Sequence, residues 1–380
     1  MARLGDVCEI INGYAFRSEK YSDNGIRIIR ISNVQKGYIE DNLPVFYPSN
    51  DNNALKYQLI EGDLLISLTG NVGRVGVLER KFMPAALNQR VACIRIKDNN
   101  LLCKSFLFYF LNSDFFEEQC ILSSKGVAQK NLSTEWLKEY VIPLPSLNEQ
   151  RKIAAVLDKV SDLIAKRRQQ LDKLDTLVKA RFVEMFGDPI SNPYGYRQAK
   201  LADVADYFNG LTYKPENVSD EGIIVLRSSN IQSCQLDFAD TVRVSCKVKD
   251  RLMVQENDIL MCSRNGSARL VGKVALIKNP QEPMSFGAFM MIIRSRYYSY
   301  LMTYFQMDAF RQQIKTGATT TINQITGKML DDVTIPLPPM MLVEQFASFI
   351  EQTNKSKLSI QKSCEKLETL KKSLMQQYFG

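Results

Sequence analysis

The chain has 380 residues, 45% hydrophobic and 24% charged, with a formal net charge of +8. That length supports two domains, and the charge suits a polyanionic partner. It has no histidine, and its eight scattered cysteines form no C-x-x-C pair; this excludes Ser-His-Asp and Cys-His nucleophiles, mixed Cys/His zinc sites and a disulfide framework. No apolar run reaches signal-peptide or membrane-span length, so a reducing cytoplasm is the expected location, with no membrane partner.

From the N-terminus, LGDVCEIING (Leu4 to Gly13) leads to the β-branched run Ile26 to Ile31, a predicted buried strand. EGDLLISLTGN (Glu61 to Asn71) reads as an apolar strand entering a Gly/Asn turn, and VGRVGVL (Val72 to Leu78) as its returning partner. A short aromatic helix over Phe106 to Phe116 and a loop from Ser123 to Ala128 follow, then Ile142-Pro143-Leu144-Pro145.

Next comes a long helix that stops at Gly187-Asp188-Pro189. One heptad row reads Ile153, Val160, Arg167, Leu174, Arg181, and the other reads Leu157, Ile164, Leu171, Val178, Met185. A 3.5-residue period free of Pro and Gly predicts a coiled-coil helix. At ~1.5 Å per residue the rod spans roughly 58 Å. Its apolar seam requires a partner helix.

The chain then repeats itself. LADVADYFNG (Leu201 to Gly210), the strand Ile223 to Leu226, ENDILMCSRNG (Glu256 to Gly266), VGKVALI (Val271 to Ile277) and the aromatic run Tyr300 to Phe310 follow the same order. After a loop over Thr316 to Thr321, Ile335-Pro336-Leu337-Pro338 and Glu344-Gln345 echo the first copy, and the chain closes on Phe379-Gly380. The second helix's seam is Phe346, Ile350, Thr353, Lys357, Ile360, Cys364, Leu367, Lys371, Leu374, Tyr378. Repeated boundary phrases identify an internal duplication rather than two unrelated bundle helices. The expected fold is α+β with a pseudo-two-fold repeat. Strand-rich domains at 1–145 and 188–339 are joined by long helices at 146–187 and 340–380, which form an antiparallel coiled coil.

IPLPSLNEQRKIAAVLD, the ending FVEMFGDPISNPYGY and the twofold domain-helix plan resemble the specificity subunit of type I restriction–modification systems, over essentially the whole chain. The resemblance implies two target-recognition domains, each reading one half of a bipartite DNA sequence, with the helices setting the gap between the halves. It also implies double-stranded DNA, two methyltransferase (modification) subunits and endonuclease/translocase (restriction) subunits as partners. This chain would carry no cofactor and no catalysis; S-adenosylmethionine, ATP and Mg²⁺ are expected on the partner subunits. Half-sites on one DNA face lie about one turn apart, ~34 Å, a separation the rod can hold. Unlike reader sequences imply a target that is not palindromic.

Base readout needs Arg, Lys, Asn or Gln displayed on loops. The candidates are Thr69, Asn71, Arg74, Asn88, Gln89 and Arg90 in the first domain, and Arg264, Asn265, Ser267 and Arg269 in the second. Lys125, Thr319 and Thr320 suit phosphate contacts that position without specifying. The bland alternative for each is a solvated turn residue. Helix pairing is expected at Ile153, Leu157, Val160, Ile164, Leu171, Leu174, Val178, Phe346, Ile350, Ile360, Leu367 and Leu374. The run Lys166-Arg167-Arg168 lies among Asp158, Asp162, Asp172 and Asp175, as on a solvated or subunit-binding face.

Other functions are weaker. Asp63 with Glu79-Arg80-Lys81 imitates a metal-dependent nuclease pattern, but the second copy keeps Asp258 with Ile277-Lys278-Asn279 in place of the rest. Asn192-Pro193-Tyr194 lacks the second proline of an adenine-methyltransferase motif, and no glycine-rich cofactor loop precedes it. A coiled-coil adaptor whose repeated domains bind protein is the alternative of another class.

Overall fold

The computed structural model describes residues 1–124, 130–314 and 323–380. Two compact units divide the chain, Met1–Gln169 with Gln361–Gly380, and Gln170–Ile360. Each long helix contributes part of its length to both units, and both chain ends belong to the first.

In the first unit the strands of three or more residues are β1 (Cys8–Asn12), β2 (Ile26–Ile29), β3 (Leu64–Ser67), β4 (Val75–Val77), β5 (Ala85–Leu87) and β6 (Val91–Ile96). An antiparallel sheet of order β1-β6-β3-β4 forms from them. The Leu64↔Val77 register makes β3 and β4 the expected hairpin-like pair. β2 runs parallel to β5, Ile28 opposite Ala86, and antiparallel to Phe46–Tyr47. All four β3 side chains are buried, so the strand reads as continuous apolar residues rather than alternating ones.

The second unit repeats the plan. The strands that match those of the first unit are β7 (Asp206–Asn209), β8 (Ile223–Leu226), β9 (Ile259–Cys262), β10 (Val274–Leu276), β11 (Met284–Phe286) and β12 (Met290–Arg294). The antiparallel order is β7-β12-β9-β10, with β8 parallel to β11. The domain duplication read from the sequence is thus a duplication of topology.

One expectation needs correction in both units. Each single aromatic helix is two helices, α1 (Lys104–Leu111) and α2 (Asp114–Ser123) in the first unit. The second copy is Tyr298–Tyr304 followed by Asp308–Gln313. Ser113 forces the first break: its Oγ accepts the Phe116 N–H at 3.1 Å and so starts a new helix. The aromatic period continues across the break because both helices cover the same core.

The long helices run Leu147–Phe186 and Met340–Phe379. Inside the first unit, Val160 and Ile164 pack with Cys364, Leu367 and Leu374. Inside the second, Val178 lies in one cluster with Phe346 and Ile350. Early residues of one helix meet late residues of the other, so the pairing is antiparallel. Polar seam positions of the second helix are satisfied: Lys357 pairs with Asp175 and Lys371 lies over the Tyr109 ring at 5.6 Å, while outside the seam Arg168 reaches Glu368 at 2.7 Å. Burial, with Arg168 nearby, lowers the Lys371 ammonium below its ordinary pKa.

The heptad reading drifts at the helix end. Phe182 and Phe186 are fully buried against Tyr300 and Phe346, while the row positions Arg181 and Met185 are only partly covered. From Val178 the buried spacing becomes i, i+4, i+8, which leaves the 3.5-residue heptad period and turns the buried face toward Phe182 and Phe186. Gly187, at φ 77°, ends the helix in the left-handed region and donates to the Val183 carbonyl.

Candidate DNA-reading surface

Around the β3–β4 turn the first unit builds a cleft. Ser67 organises it from below: its hydroxyl donates to the Asn71 carbonyl at 2.5 Å and accepts the Arg74 N–H at 3.1 Å. Thr69 bridges to Asn131, its hydroxyl donating to Oδ1 at 2.9 Å, and Gly70 at φ 70° turns the chain back. The cavity, about 280 Å³, is lined by Ser32, Gln35, Thr69, Asn71, Arg74 and Arg90 among others. Arg74 Nη1 donates to Gln35 Oε1 at 2.9 Å, which fixes the guanidinium on an uncharged partner. Arg90 is exposed and sits at φ 67°, an uncommon conformation for a side-chain-bearing residue and one recurrent at functional sites.

The structure therefore gathers four sequence-predicted residues, Thr69, Asn71, Arg74 and Arg90, around one cleft. Asn88 and Gln89 lie on the adjoining turn, where the Asn88 side chain accepts the Gln89 N–H at 2.9 Å. Thr69 is mostly buried and spent on Asn131, so it shapes the cleft more than it reaches outward. Lys125, Thr319 and Thr320 fall outside the described residues.

In the second unit, Arg264–Asn265 forms a short strand against Asn323–Gln324. Asn265 accepts the Ser267 N–H at 3.0 Å and points Nδ2 toward Ser228 Oγ at 3.4 Å. Ser267 and Arg269 are exposed, and Arg264 lies over the Phe289 ring at 5.5 Å. Among the described residues, Arg90, Arg264 and Arg269 face no carboxylate. Exposed guanidiniums without counter-charges suit a partner that brings acceptor oxygens.

Sequence reasoning passed over Ser32 and Gln35. They belong to the phrase Ser32-Asn33-Val34-Gln35, repeated as Ser229-Asn230-Ile231-Gln232. The buried asparagine in each phrase is structural. Asn33 accepts the Arg30 N–H at 2.7 Å and Asn230 the Arg227 N–H at 2.8 Å, closing matched turns. That Ser32 and Gln35 reach the β3–β4 turn follows only from strand pairing.

Helix-seam candidates sort by depth. Ile153, Leu157, Val160, Ile164 and Phe346 are buried, and Leu171, Leu174, Val178, Ile350, Ile360, Leu367 and Leu374 are half-buried. The Glu-Gln echo does not survive as a structural match. Gln150 is fully buried, accepting the Cys103 N–H at 2.8 Å and donating to the Leu101 and Pro145 carbonyls, whereas Gln345 is exposed. Val343, buried near the start of the second helix, fills the corresponding place.

The Type I restriction modification DNA specificity domain model matches residues 1–175 and again 193–372. The chain belongs to this family. The EcoKI specificity subunit of Escherichia coli K12 is 22% identical over 379 residues, spanning 93% of this chain and 81% of that protein. The MjaVIII specificity subunit of Methanocaldococcus jannaschii is 29% identical over 184 residues, 47% of this chain and 43% of that one. The crystal structure of a type I system S subunit from M. genitalium superposes with a TM-score of 0.57 at 13% identity, covering 100% and 95% of the two chains. A chain from a structure addressing assembly and conformational transition of the type I R-M system gives 0.58 at 18%, covering 100% and 96%. Both likenesses show the fold.

The two specificity domains carry the nuclease-like acids as scaffold. Asp63 and Asp258 each receive two bonds from one arginine, Arg95 and Arg294. Among the described residues no group of three acidic, Cys or His side chains is placed to hold a metal. The Asn192-Pro193-Tyr194 look-alike is a turn, with Asn192 bonded to both the N–H and the carbonyl of Tyr196.

Proposed function

We propose that this chain is the sequence-reading, non-catalytic subunit of a type I restriction–modification complex. Each specificity domain reads one half of a bipartite, asymmetric target in double-stranded DNA. Two methyltransferase subunits bearing S-adenosylmethionine, and restriction subunits using ATP and Mg²⁺, would supply the chemistry. The observation carrying this reading is one scaffold built twice with different side chains at matched places. Leu68 donates to the Arg90 carbonyl, and Ser263 donates to that of Phe289. This alignment sets Arg90 against Phe289 and Thr69 against Arg264. A conserved frame with exchanged surface residues suits two readers of different sequences.

A salt titration of duplex binding by the complex of this chain with its methyltransferase tests the proposal. Phosphate neutralisation makes log K fall linearly with log salt, by about 0.9 per phosphate contacted. A steep slope with selectivity for one duplex supports the reading. An adaptor that binds only protein would show no duplex affinity at any salt concentration.

A further inference from the structure

We infer that Phe289 is a positioning residue for base readout, a platform that holds Arg264 edge-on to a guanine in the half-site read by the second specificity domain. This rests on the DNA-reading function proposed above. Phe289 is 59% exposed, and among the described residues it stacks on no other aromatic ring. Its backbone is nevertheless firmly fixed: the Phe289 carbonyl accepts the Ser263 N–H at 3.0 Å, the Arg264 N–H at 3.1 Å and the Ser263 hydroxyl at 3.0 Å. A large apolar ring is thus displayed outward from an anchored backbone, beside the Arg264, Asn265, Ser267 and Arg269 surface.

The Arg264 guanidinium lies 5.5 Å from the ring centroid. A guanidinium held over an aromatic face by cation–π attraction keeps the N–H groups turned away from the ring free. Those donors form the fork that matches guanine O6 and N7 in the major groove. Arg264's own backbone is tied into the pairing with Asn323–Gln324, so main chain and head group are both positioned before DNA arrives. Such pre-organisation cuts the ordering cost of a long side chain on binding. In the first domain the same crossing carries Thr69 and Arg90, so the guanidinium comes from the other strand, and among the described residues it lies over no aromatic ring.

The test uses the complete complex of this chain with its methyltransferase, and duplexes carrying the wild-type target or each single-base change. Arg264→Ala should lower discrimination at one guanine by roughly five- to hundredfold. Phe289→Ala should lower it at that same position by roughly two- to fivefold, and Phe289→Trp should retain it. Three outcomes overturn the inference: Phe289→Ala leaves discrimination unchanged, Phe289→Ala relaxes a different base from Arg264→Ala, or Arg264→Ala weakens all duplexes equally with a shallower salt slope. The second would mark Phe289 as contacting a base itself, and the third would mark Arg264 as a phosphate contact. Complex assembly, read by light scattering, separates these from misfolding. If the wild-type complex prefers no duplex, the underlying function fails instead.

Discussion

Arg95 grips the Asp63 carboxylate at two points, Nε to Oδ1 at 2.9 Å and Nη2 to Oδ2 at 2.6 Å. The carboxylate also accepts the Ile60 N–H at 2.9 Å, and Arg294, Asp258 and Gln255 repeat the arrangement. The hydrogen bond to Asp63 raises Arg95 above the ordinary guanidinium value. This occupancy leaves the carboxylates as scaffold.

Asp63→Asn should therefore destabilise the first specificity domain by about 2–3 kcal/mol. Removing one partner of a paired, largely buried carboxylate leaves unmet donors, and the partial exposure of Arg95 tempers the cost. Calorimetry of the complex should show a lowered transition, with the methylated sequence unchanged at permissive temperature. Loss of methylation at full stability would contradict the scaffold role.

Gly13 and Gly210 close the same turn in the two domains. A Cβ at Gly13 would collide with the Asn88 carbonyl, and one at Gly210 with that of Gly287. Gly13→Ala should cost about 2 kcal/mol or more and disturb the Asn88-Gln89-Arg90 turn. Base selectivity should loosen only in the half-site read by the first domain. Equal loosening of both halves would show that the domains do not read independently.

At the cleft, Arg74→Ala and Gln35→Ala should relax selectivity at one shared base pair, because the glutamine fixes the guanidinium. In the second domain, Arg269→Ala, at an exposed arginine, should weaken every duplex alike and reduce the salt slope by about one. Competition binding against single-base variants distinguishes the patterns. Separate bases for Arg74 and Gln35 would break the pairing argument.

Phe182→Ala should cost about 3–5 kcal/mol, since the ring is fully buried among Phe186, Tyr300 and Phe346. Arg181→Ala, one residue earlier on the heptad row, should cost far less. Thermal melts of the two variants decide whether the buried spacing, rather than the heptad, governs this helix end.

Much of this architecture was legible because it is periodic or written twice. The heptad rows marked the long helices, and the β-branched runs marked β2 and β8. Ser113 hid the break in the aromatic helix, since an N-cap reads as an ordinary serine until the chain turns there. The binding surface was partly legible: Arg74 and Arg90 stood out as cations near a Gly/Asn turn. Gln35 and Phe289 did not, because their roles come from neighbours distant in sequence. A lone aromatic between Ala288 and Met290 reads as core, and only the fold turns it outward.

The central claim is that two unlike readers on a repeated scaffold each specify one half of a split DNA target. Its most direct test is to map methylated adenines genome-wide in a host carrying this chain and its methyltransferase, before and after residues 1–142 are replaced by the first domain of another family member. The account predicts one bipartite motif, of which a single half changes on exchange while the other half and the gap are retained. An uninterrupted short motif, or a change in both halves, would contradict it.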